Sequence, residues 1–490
     1  MAENTIPLQA REVSSTSSQS PTPEKTKTST TQDEITNSQD EVELAILKPQ
    51  DGGPPPNIFS QGGKNYRTLG RWDTVFVLVT NQVGLGILSL PGCLKVLGII
   101  PGVIGVIGIG SISAYTAYEL LQFYRRYPQV VNVVDMCKIL GGKPLEIIVG
   151  IALLIKVMMT CASASVTLSV AFNVLSNHAI CTVAFITIAI VACWILSLPR
   201  TVHFVSLSGI PSTISILSAA LIVMISLGVA EPKQAPPGWD KEIKIIGDPT
   251  FREAVNACLK ICYAYAGNIS FVSYMAEMRN PDKDFPMALA CLEVFSIVTY
   301  TIVAIVIYCL AGDYTASPAL GSAPYYPAKV AYGIVLPAVF ATAMAFAHTG
   351  AKYMYVEAMR KTKLTHQITD SSFKSWSIWI GCVTLFWIIV WVISNAIPVF
   401  DSILAISSST TIAWFTFGLS AIFWFHLNKG KWFSNWKMTL LSIFNMLLIV
   451  QSLFMNVGGL WSSISELAAI FADEDSKVQG VFSCGDNSGF

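Results

Sequence analysis

Charged side chains are scarce in this sequence, since Asp, Glu, Lys and Arg together make up 13% of its 490 residues. Ordinary globular domains carry about 25%. Hydrophobic residues make up 53%, and the formal net charge is zero. The sequence therefore lacks both the surface of a soluble domain and the basic excess of a protein that binds nucleic acid. We expect a polytopic protein embedded in a lipid bilayer, with no nucleic acid partner.

The motifs of common catalytic and cofactor sites are also missing. The sequence contains no phosphate-binding G-x-x-x-x-G-K-[ST] motif, no Cys or His cluster with zinc spacing, and no recognisable nucleophile–base set. We therefore predict that the protein is not an enzyme, and that it has no cofactor and no metal site.

Eleven cysteines are present, but their distribution does not indicate a disulfide framework. Nine of them lie in or at the ends of apolar stretches, where cysteine usually serves as a small packing residue. A bond between Cys181 and Cys484 would require both residues to face the outside. We expect free cysteines instead.

The two ends of the chain differ from its middle in composition. The first part, to about Pro56, is rich in Ser, Thr, Gln, Glu and Pro and has no apolar cluster that would offset the entropy of ordering. No basic start is followed by an apolar segment, so we expect no cleavable signal peptide. We predict a disordered cytoplasmic tail at 1–69, a membrane domain at 70–467 and a short C-terminal tail at 468–490.

From residue 70 onward, eleven apolar segments are close to or longer than the roughly 20 residues that cross a bilayer as a helix. The sequence therefore predicts an all-α membrane protein with eleven transmembrane helices. Several segments are long enough to require tilt or ends that leave the lipid. The predicted spans are 73–96, 98–123, 144–175, 179–198, 201–230, 251–278, 285–311, 330–359, 375–396, 399–427 and 438–467.

Lysine and arginine set the predicted orientation. With the N-terminus in the cytoplasm, most basic residues near the ends of the spans fall on the inner side, as the positive-inside rule requires. Most of the basic residues on the outer side lie in or beside one loop that also carries acidic residues. An odd number of spans then places the C-terminal tail outside the cell or in a lumen.

Residues 81–91, which read N-Q-V-G-L-G-I-L-S-L-P, interrupt the first predicted span. Each glycine costs about 1 kcal/mol relative to alanine inside a helix, and proline removes a backbone donor. A break at membrane depth is tolerated only where the freed backbone groups face protein or water, and secondary transporters place their substrates at such breaks. The alternative is a proline kink with glycines that allow close helix packing.

A second interruption falls in the sixth predicted span, which contains Y-A-Y-A-G-N at 263–268. A Gly-Asn pair in the middle of a span favours a turn over a helix. Spans 1 and 6 are five apart, so they cross the membrane in opposite directions. Matched breaks in two such spans indicate a transporter built from an inverted repeat, whereas the alternative is two unrelated kinks.

Two helix breaks side by side predict the chemistry of the ligand. The half-helix after the first break would present free N–H groups and a partial positive charge to a carboxylate, with Ser89 as its cap. Freed carbonyls, with Asn81 or Asn268, would accept hydrogen bonds from an ammonium group, so the expected ligand is an α-amino acid. The residues that we expect to contact it are Asn81, Gly84, Leu85, Gly86, Ser89, Ala264, Tyr265, Gly267 and Asn268.

Several motifs in order resemble the amino acid/auxin permease family. They are G-x-G-x-L-x-L-P at 84–91, R-Y-P with N-x-x-D at 126–135, L-P-R at 198–200, A-Y-A-G-N at 264–268, E-M-R-N-P at 277–281 and A-K-Y-x-Y at 351–355. The similarity covers about 70–467 and looks closest to fungal neutral amino acid permeases. It implies eleven helices in a leucine-transporter-type five-plus-five inverted repeat with broken helices 1 and 6. It also implies amino acid transport driven by protons, or by sodium in some animal relatives.

Four ionisable residues at membrane depth are candidates for coupling or recognition: Lys156, Lys260, Glu293 and His348. Charges there cost at least about 2.5–3.5 kcal/mol on insertion scales, which makes each one a functional hypothesis. His348 changes charge near neutral pH and could bind a coupled proton, or it could be a packing residue. Glu293 could pair with Lys156, and Lys260 could bind an acidic substrate side chain.

We therefore predict a secondary active transporter that imports neutral amino acids by proton symport and alternating access. The predicted location is the plasma membrane, and the vacuolar membrane is the alternative. A vacuolar or organelle exporter of the same fold is a second hypothesis. A third is an amino acid sensor that keeps the site but does not transport, which binding without flux would distinguish.

Overall fold

The structure, a computed structural model, describes residues 67, 69–200, 203–236, 238–362, 372–473 and 480–488, with the backbone only of 203–208. The predicted tail at 1–69 therefore lies outside the described residues, except for Arg67 and Leu69. The predicted C-terminal tail at 468–490 is described in part.

The described chain is helical apart from one isolated β-bridge between Leu69 and Met278. Short 3₁₀ segments occur at Leu85–Ser89, Gly312–Tyr314 and Ala319–Ser322, and π-helical segments at Ser408–Gly418 and Met455–Gly459. The α-helices of the described residues are α1 (Arg71–Gln82), α2 (Leu90–Leu97), α3 (Ile99–Arg126), α4 (Val133–Ser176), α5 (Thr182–Ser197), α6 (His203–Val229), α7 (Phe251–Ala264), α8 (Asn268–Glu277), α9 (Pro281–Ala311), α10 (Tyr325–Lys361), α11 (Phe373–Ala396), α12 (Phe400–Ser407), α13 (Leu419–Leu427), α14 (Trp436–Phe454) and α15 (Leu460–Ala472).

Within the described residues, eight helical segments are long and apolar enough to cross a membrane, and a bent pair makes a ninth. The bent pair is Arg71–Gln82 with Leu85–Leu97, which meet at an angle of 43°. The eleven predicted spans include two that do not reach this length. The helix α5 has 16 residues, while α7 and α8 have 14 and 10 on either side of a break. The structure therefore establishes a multi-pass helical membrane protein.

The helix α4 begins with a short helical segment, which a kink separates from its long apolar part. The Asn132 side chain accepts a hydrogen bond from the Asp135 N–H at 2.9 Å, which caps the start of the helix. Gly141 and Gly142 then depart from helical geometry, and Gly142 takes φ 64°, a conformation that favours glycine. The long apolar part follows this kink, in agreement with the span predicted to begin at 144.

Helix α4 is one of the more buried spans of the described chain. The most apolar part of α4 is 61% buried, compared with 28% for α3. Its buried face consists largely of small residues, such as Ala162, Ala164 and Ser165, which allow neighbouring helices to approach closely. Large apolar side chains such as Ile104 and Val294 point outward from other helices, as expected for a surface that faces lipid.

The C-terminal segment returns to the helical bundle and is held there by a disulfide. Cys484 is bonded to Cys181, with the two Cα atoms 4.5 Å apart, so the expectation of free cysteines was wrong for this pair. Asn487 donates to Ser169 on α4 at 2.9 Å, and Gly485 accepts a hydrogen bond from Thr182 at 2.7 Å. Cysteines 303 positions apart give no local signal of their pairing, because it depends on where the tail docks.

We predict that Cys181→Ser lowers the midpoint of thermal unfolding of the purified protein in detergent. A disulfide typically contributes roughly 2–5 kcal/mol, mainly by restricting the unfolded chain. Cys382→Ser removes a free cysteine and is the control, with little expected change. The double variant Cys181→Ser/Cys484→Ser should unfold at the same temperature as the single one. An unchanged midpoint in the Cys181 variant or in reductant would contradict the assigned role.

Candidate functional site

The first membrane span is interrupted directly after Gln82. The backbone leaves helical geometry at Val83 (φ −79°, ψ 87°) and Gly84 (φ −134°, ψ −146°), and the 3₁₀ segment at Leu85–Ser89 leads into α2. The first N–H groups of this new segment have no acceptor earlier in their own helix. The break falls where the two glycines predicted it.

Ser89 has a different role from the one predicted. It takes a helical conformation (φ −93°, ψ −18°), and its side chain caps no N–H group. Its Oγ instead donates to the carbonyl of Gly86 at 2.9 Å, and the residue is fully buried. Because the 3₁₀ segment runs into α2 without a gap, the start of α2 offers no free donor for a cap to satisfy.

The second break separates α7 from α8. Tyr265 leaves helical geometry (φ −105°, ψ 22°), and its N–H bonds to the carbonyl of Cys262 at 3.2 Å in a tightened last turn. The helix resumes at Asn268. The interruption therefore lies at the predicted Gly-Asn pair.

The two breaks touch each other at Gly86. A Cβ atom added to Gly86 would lie 2.6 Å from the Cα atom of Ala264, which is closer than real contacts allow. A Cβ atom added to Gly84 would meet nothing within 4 Å. Gly86 is therefore required for the packing of the two breaks, whereas Gly84 faces open space.

A tyrosine of α9 joins the two breaks through their freed carbonyls. The Tyr300 hydroxyl lies 3.0 Å from the carbonyl oxygen of Gln82 and 3.1 Å from that of Ala264, the last residues of α1 and α7. Tyr300 is fully buried. The sequence analysis missed this residue, because nothing in an apolar run distinguishes a tyrosine that faces a break from one that packs elsewhere.

A cavity of about 360 Å³ opens beside the breaks. It is lined by residues of the second half of α1 and of the first break, and also by Leu69 and Glu277. Its walls combine polar groups with aromatic and small apolar ones, among them Thr80, Asn81, Gln82, Lys156, Thr160, Tyr263, Ala341, Thr342, Ala345 and Phe346.

Six of the predicted site and coupling residues line this cavity, namely Asn81, Gly84, Leu85, Gly86, Gly267 and Lys156. Asn81 makes only long hydrogen bonds, with its Nδ2 3.4 Å from the carbonyl of Gly267 and its Oδ1 3.4 Å from the Tyr274 hydroxyl. Its side chain can therefore exchange these partners for a ligand at low cost.

Four predicted contact residues, Ser89, Ala264, Tyr265 and Asn268, do not line the cavity. Asn268 is fully buried, and its Nδ2 donates to Thr116 at 2.9 Å and to the carbonyl of Ser113 at 3.3 Å. It therefore fixes the second break against α3. Tyr265 packs edge to face on Tyr300, with ring centroids 5.2 Å apart.

The expected pairing of Glu293 with Lys156 does not occur. The Lys156 ammonium lies in the cavity, 4.1 Å from the centroid of the Phe346 ring, in a cation–π arrangement. Glu293 instead accepts a hydrogen bond from the Gln82 side chain at 3.4 Å. The helix rotation that decides which face of α9 carries Glu293 cannot be read from an apolar sequence.

The remaining candidates lie outside the cavity. Lys260 is paired with Asp401 on α12 at 2.8 Å, and Asp401 also accepts a hydrogen bond from Ser317. Lys260 therefore joins two helices rather than facing a substrate side chain. His348 is buried and stacks on Trp379, with ring centroids 6.0 Å apart. Among the described residues, no group of three or more His, Cys, Asp or Glu is arranged to hold a metal ion.

Comparisons with known proteins give one matching family and several similar proteins. The family described as "Transmembrane amino acid transporter protein" matches residues 67–465. The "N amino acid transport system protein" of Neurospora crassa is 28% identical over 433 residues, covering 86% of this chain and 90% of the relative. A "Transmembrane transporter" of Fusarium pseudograminearum is 26% identical over 445 residues, covering 89% and 92%. A crystal structure of MhsT in complex with L-phenylalanine is similar with a TM-score of 0.47 and 13% identity, covering 81% of this chain and 98% of that one.

We predict that Lys260→Met destabilises the protein, because it leaves the Asp401 carboxylate without its partner. Removing one member of a buried ion pair costs on the order of 3 kcal/mol. The double variant Lys260→Met/Asp401→Asn should recover more than half of the lost thermal stability, measured as the unfolding midpoint in detergent. A single variant as stable as the unmodified protein would show that the pair is not needed for the fold.

Proposed function

This chain belongs to the family of transmembrane amino acid transporter proteins, and from that premise we propose that it imports neutral amino acids by proton symport. The observation that carries the proposal is the cavity beside the two helix breaks. Sites of this kind let backbone groups bind both charges of a zwitterion while side chains select the rest of the molecule. The Neurospora crassa relative, an "N amino acid transport system protein", supports an amino acid as the substrate.

The backbone around the first break suits the carboxylate of an amino acid. The N–H groups that follow Gly84 are at the start of a helical stretch that continues to Leu97, where a partial positive charge favours an anion. The open space at Gly84 allows a ligand to approach the main chain. The Lys156 ammonium lies in the same cavity and adds a positive charge.

Other groups that line the cavity suit an ammonium group and an uncharged side chain. Asn81 and the carbonyl of Gly267 already contact each other at 3.4 Å, and both offer acceptor oxygens at the cavity. Phe346, Ala341 and Ala345 provide an apolar surface nearby. These groups support a neutral substrate with a side chain of moderate size.

We further propose eleven membrane helices arranged as two inverted repeats of five plus one additional helix. The two short predicted spans, α5 and the pair of α7 and α8, would join the nine longer ones. The two broken helices support the repeat, because they break in corresponding places and share the Tyr300 hydroxyl. Two halves related in this way can move against each other around a fixed site, which is alternating access.

The orientation that we propose places the N-terminus in the cytoplasm and the protein in the plasma membrane. The disulfide between Cys181 and Cys484 supports an outer location for both cysteines, because disulfides persist in oxidising compartments. In this orientation the cavity, which reaches Leu69 and Glu277, opens toward the cytoplasm. A vacuolar location with release into the cytoplasm is the alternative.

We predict saturable uptake of one or more neutral amino acids into cells that lack their own permeases. Uptake at pH 5 should exceed uptake at pH 7.5, and a protonophore should abolish it, because the proton gradient supplies the driving force. The measurement is a panel of radiolabelled amino acids, with the protein detected at the cell surface. Surface protein without uptake of any amino acid would contradict import and leave an organelle exporter or a sensor.

We also predict that Gly86→Ala lowers uptake by at least about tenfold, because the added methyl group forces the two breaks apart. Gly108→Ala is the matched control, since a Cβ atom at Gly108 on α3 meets nothing within 4 Å. Both variants are compared for surface expression and uptake rate. Equal uptake by the two variants would show that close contact between the breaks is not needed for transport.

A further inference from the structure

We propose that Glu293 is the group that binds the coupled proton, and that Gln82 connects it to the substrate cavity. This inference rests on the proposed function, because it assigns the coupling step of the same transporter to named residues. It is carried by the position of an unpaired buried carboxyl group beside the first helix break.

Glu293 is a buried acid without a basic partner. The residue is 4% exposed, and no lysine, arginine or histidine of the described chain forms an ion pair with it. Its Oε1 accepts one long hydrogen bond from Gln82, and its Oε2 has no hydrogen-bond partner in the described structure. A lone negative charge is costly in such a place, so a proton is the ligand that this site favours.

The ionisable groups that face Glu293 carry no positive charge that could balance its carboxylate. They are Tyr265, at the second break, and Tyr300, two turns further along α9. Both are neutral hydroxyl groups at physiological pH. Ser296 is the other polar neighbour, through its contact with Gln82 at 3.3 Å. The charge of this cluster is therefore set by whether Glu293 holds a proton.

Gln82 connects the charge of Glu293 to the cavity. Its side chain contacts Glu293, its carbonyl accepts the Tyr300 hydroxyl, and the residue itself lines the cavity as the last residue of α1. Its Oε1 has no hydrogen-bond partner in the described structure. A protonated Glu293 carries an O–H group that can donate a hydrogen bond. The free Oε1 of Gln82 can accept that bond, and it would replace the bond that Gln82 Nε2 now donates to Glu293.

Protonation would therefore change the hydrogen bonds of the residue at which the first span breaks. The same break presents the N–H groups that we assign to the substrate carboxylate. A proton that alters this break alters the affinity for the substrate, and by linkage the substrate alters the affinity for the proton by the same factor. This reciprocity is what symport requires.

None of the other three candidates combines an acid with contact to the first break. Lys156 is a cation over the Phe346 ring, Lys260 is paired with Asp401, and His348 stacks on Trp379.

The test compares Glu293→Gln with the unmodified protein in proteoliposomes. Two quantities are measured with the amino acid that the uptake panel identifies, namely accumulation driven by an imposed pH gradient and exchange of labelled for unlabelled substrate without a gradient. We expect Glu293→Gln to lose accumulation by at least about tenfold, while exchange remains measurable and independent of pH. A variant with only a structural defect would lose both in proportion.

Glu119→Gln is the matched control, because Glu119 is also buried but lies on α3 beside Tyr115 and Asn445, whereas Glu293 contacts Gln82 at the first break. Accumulation by this variant should match that of the unmodified protein. Glu293→Asp keeps the carboxyl group and should keep gradient-driven accumulation with an altered pH profile. If Glu293→Gln does not fold, the pH profile of Glu293→Asp tests the proposal instead, and an unaltered profile would contradict it.

Each contrary outcome has a distinct meaning. Accumulation by Glu293→Gln that still follows the pH gradient would overturn the assignment of the proton to Glu293. Accumulation of the unmodified protein that follows a sodium gradient and ignores pH would overturn proton coupling altogether and leave amino acid transport in place. Absence of any uptake or exchange by the unmodified protein would instead remove the proposed function, and this inference with it.

Discussion

Hydrogen bonding of the main chain within lipid is the constraint on which this structure depends. A bilayer core offers no water to a broken helix, so every freed N–H and carbonyl group needs a partner in the protein or in a wet cavity. The first break ends with a carbonyl at Gln82 and the second with one at Ala264, and the Tyr300 hydroxyl lies within hydrogen-bond distance of both and can donate to either. Gly84, Leu85 and Gly86, which follow the first break, line the cavity instead. The breaks therefore have two sides. On the sealed side Tyr300 contacts the carbonyls of Gln82 and Ala264, and the other side lines the cavity and is open to a ligand.

The sealed side makes the two breaks one unit. Gly86 packs on Ala264 without room for a methyl group, and Asn268 holds the second break to α3 through Ser113 and Thr116. A ligand that moves one break therefore acts on the other and on the helices attached to them. Interiors packed this closely change between discrete arrangements rather than bending smoothly. The polar cluster of Gln82 and Glu293 lies within this unit, where a single charge has large effects.

Local chemistry was the part of the site that the sequence could predict. Gly84, Gly86 and the Gly-Asn pair at 267–268 weaken a helix wherever they occur, so both breaks and the multi-pass membrane class followed from residue types and spacing. The partners of polar groups were not predictable in this way. Whether Glu293 meets Lys156 or Gln82, and whether Asn268 binds a ligand or α3, depends on helix rotation and packing across hundreds of residues. Tyr300 was missed for the same reason, and the bond between Cys181 and Cys484 was considered but not expected.

The bond between Cys181 and Cys484 also makes most of the chain a covalent ring. The ring contains α5 to α15, while α1 to α4 extend from it as a linear arm that carries the first break. The ring can close only after the last helix has been made and the C-terminal segment has docked beside Thr182. A single proteolytic cut in any loop of the ring leaves one molecule until the bond is reduced. A cut before Cys181 gives two separate fragments in denaturing electrophoresis even without reductant. Cuts on the two sides of Cys181 can therefore be told apart by whether reductant is needed to separate the fragments.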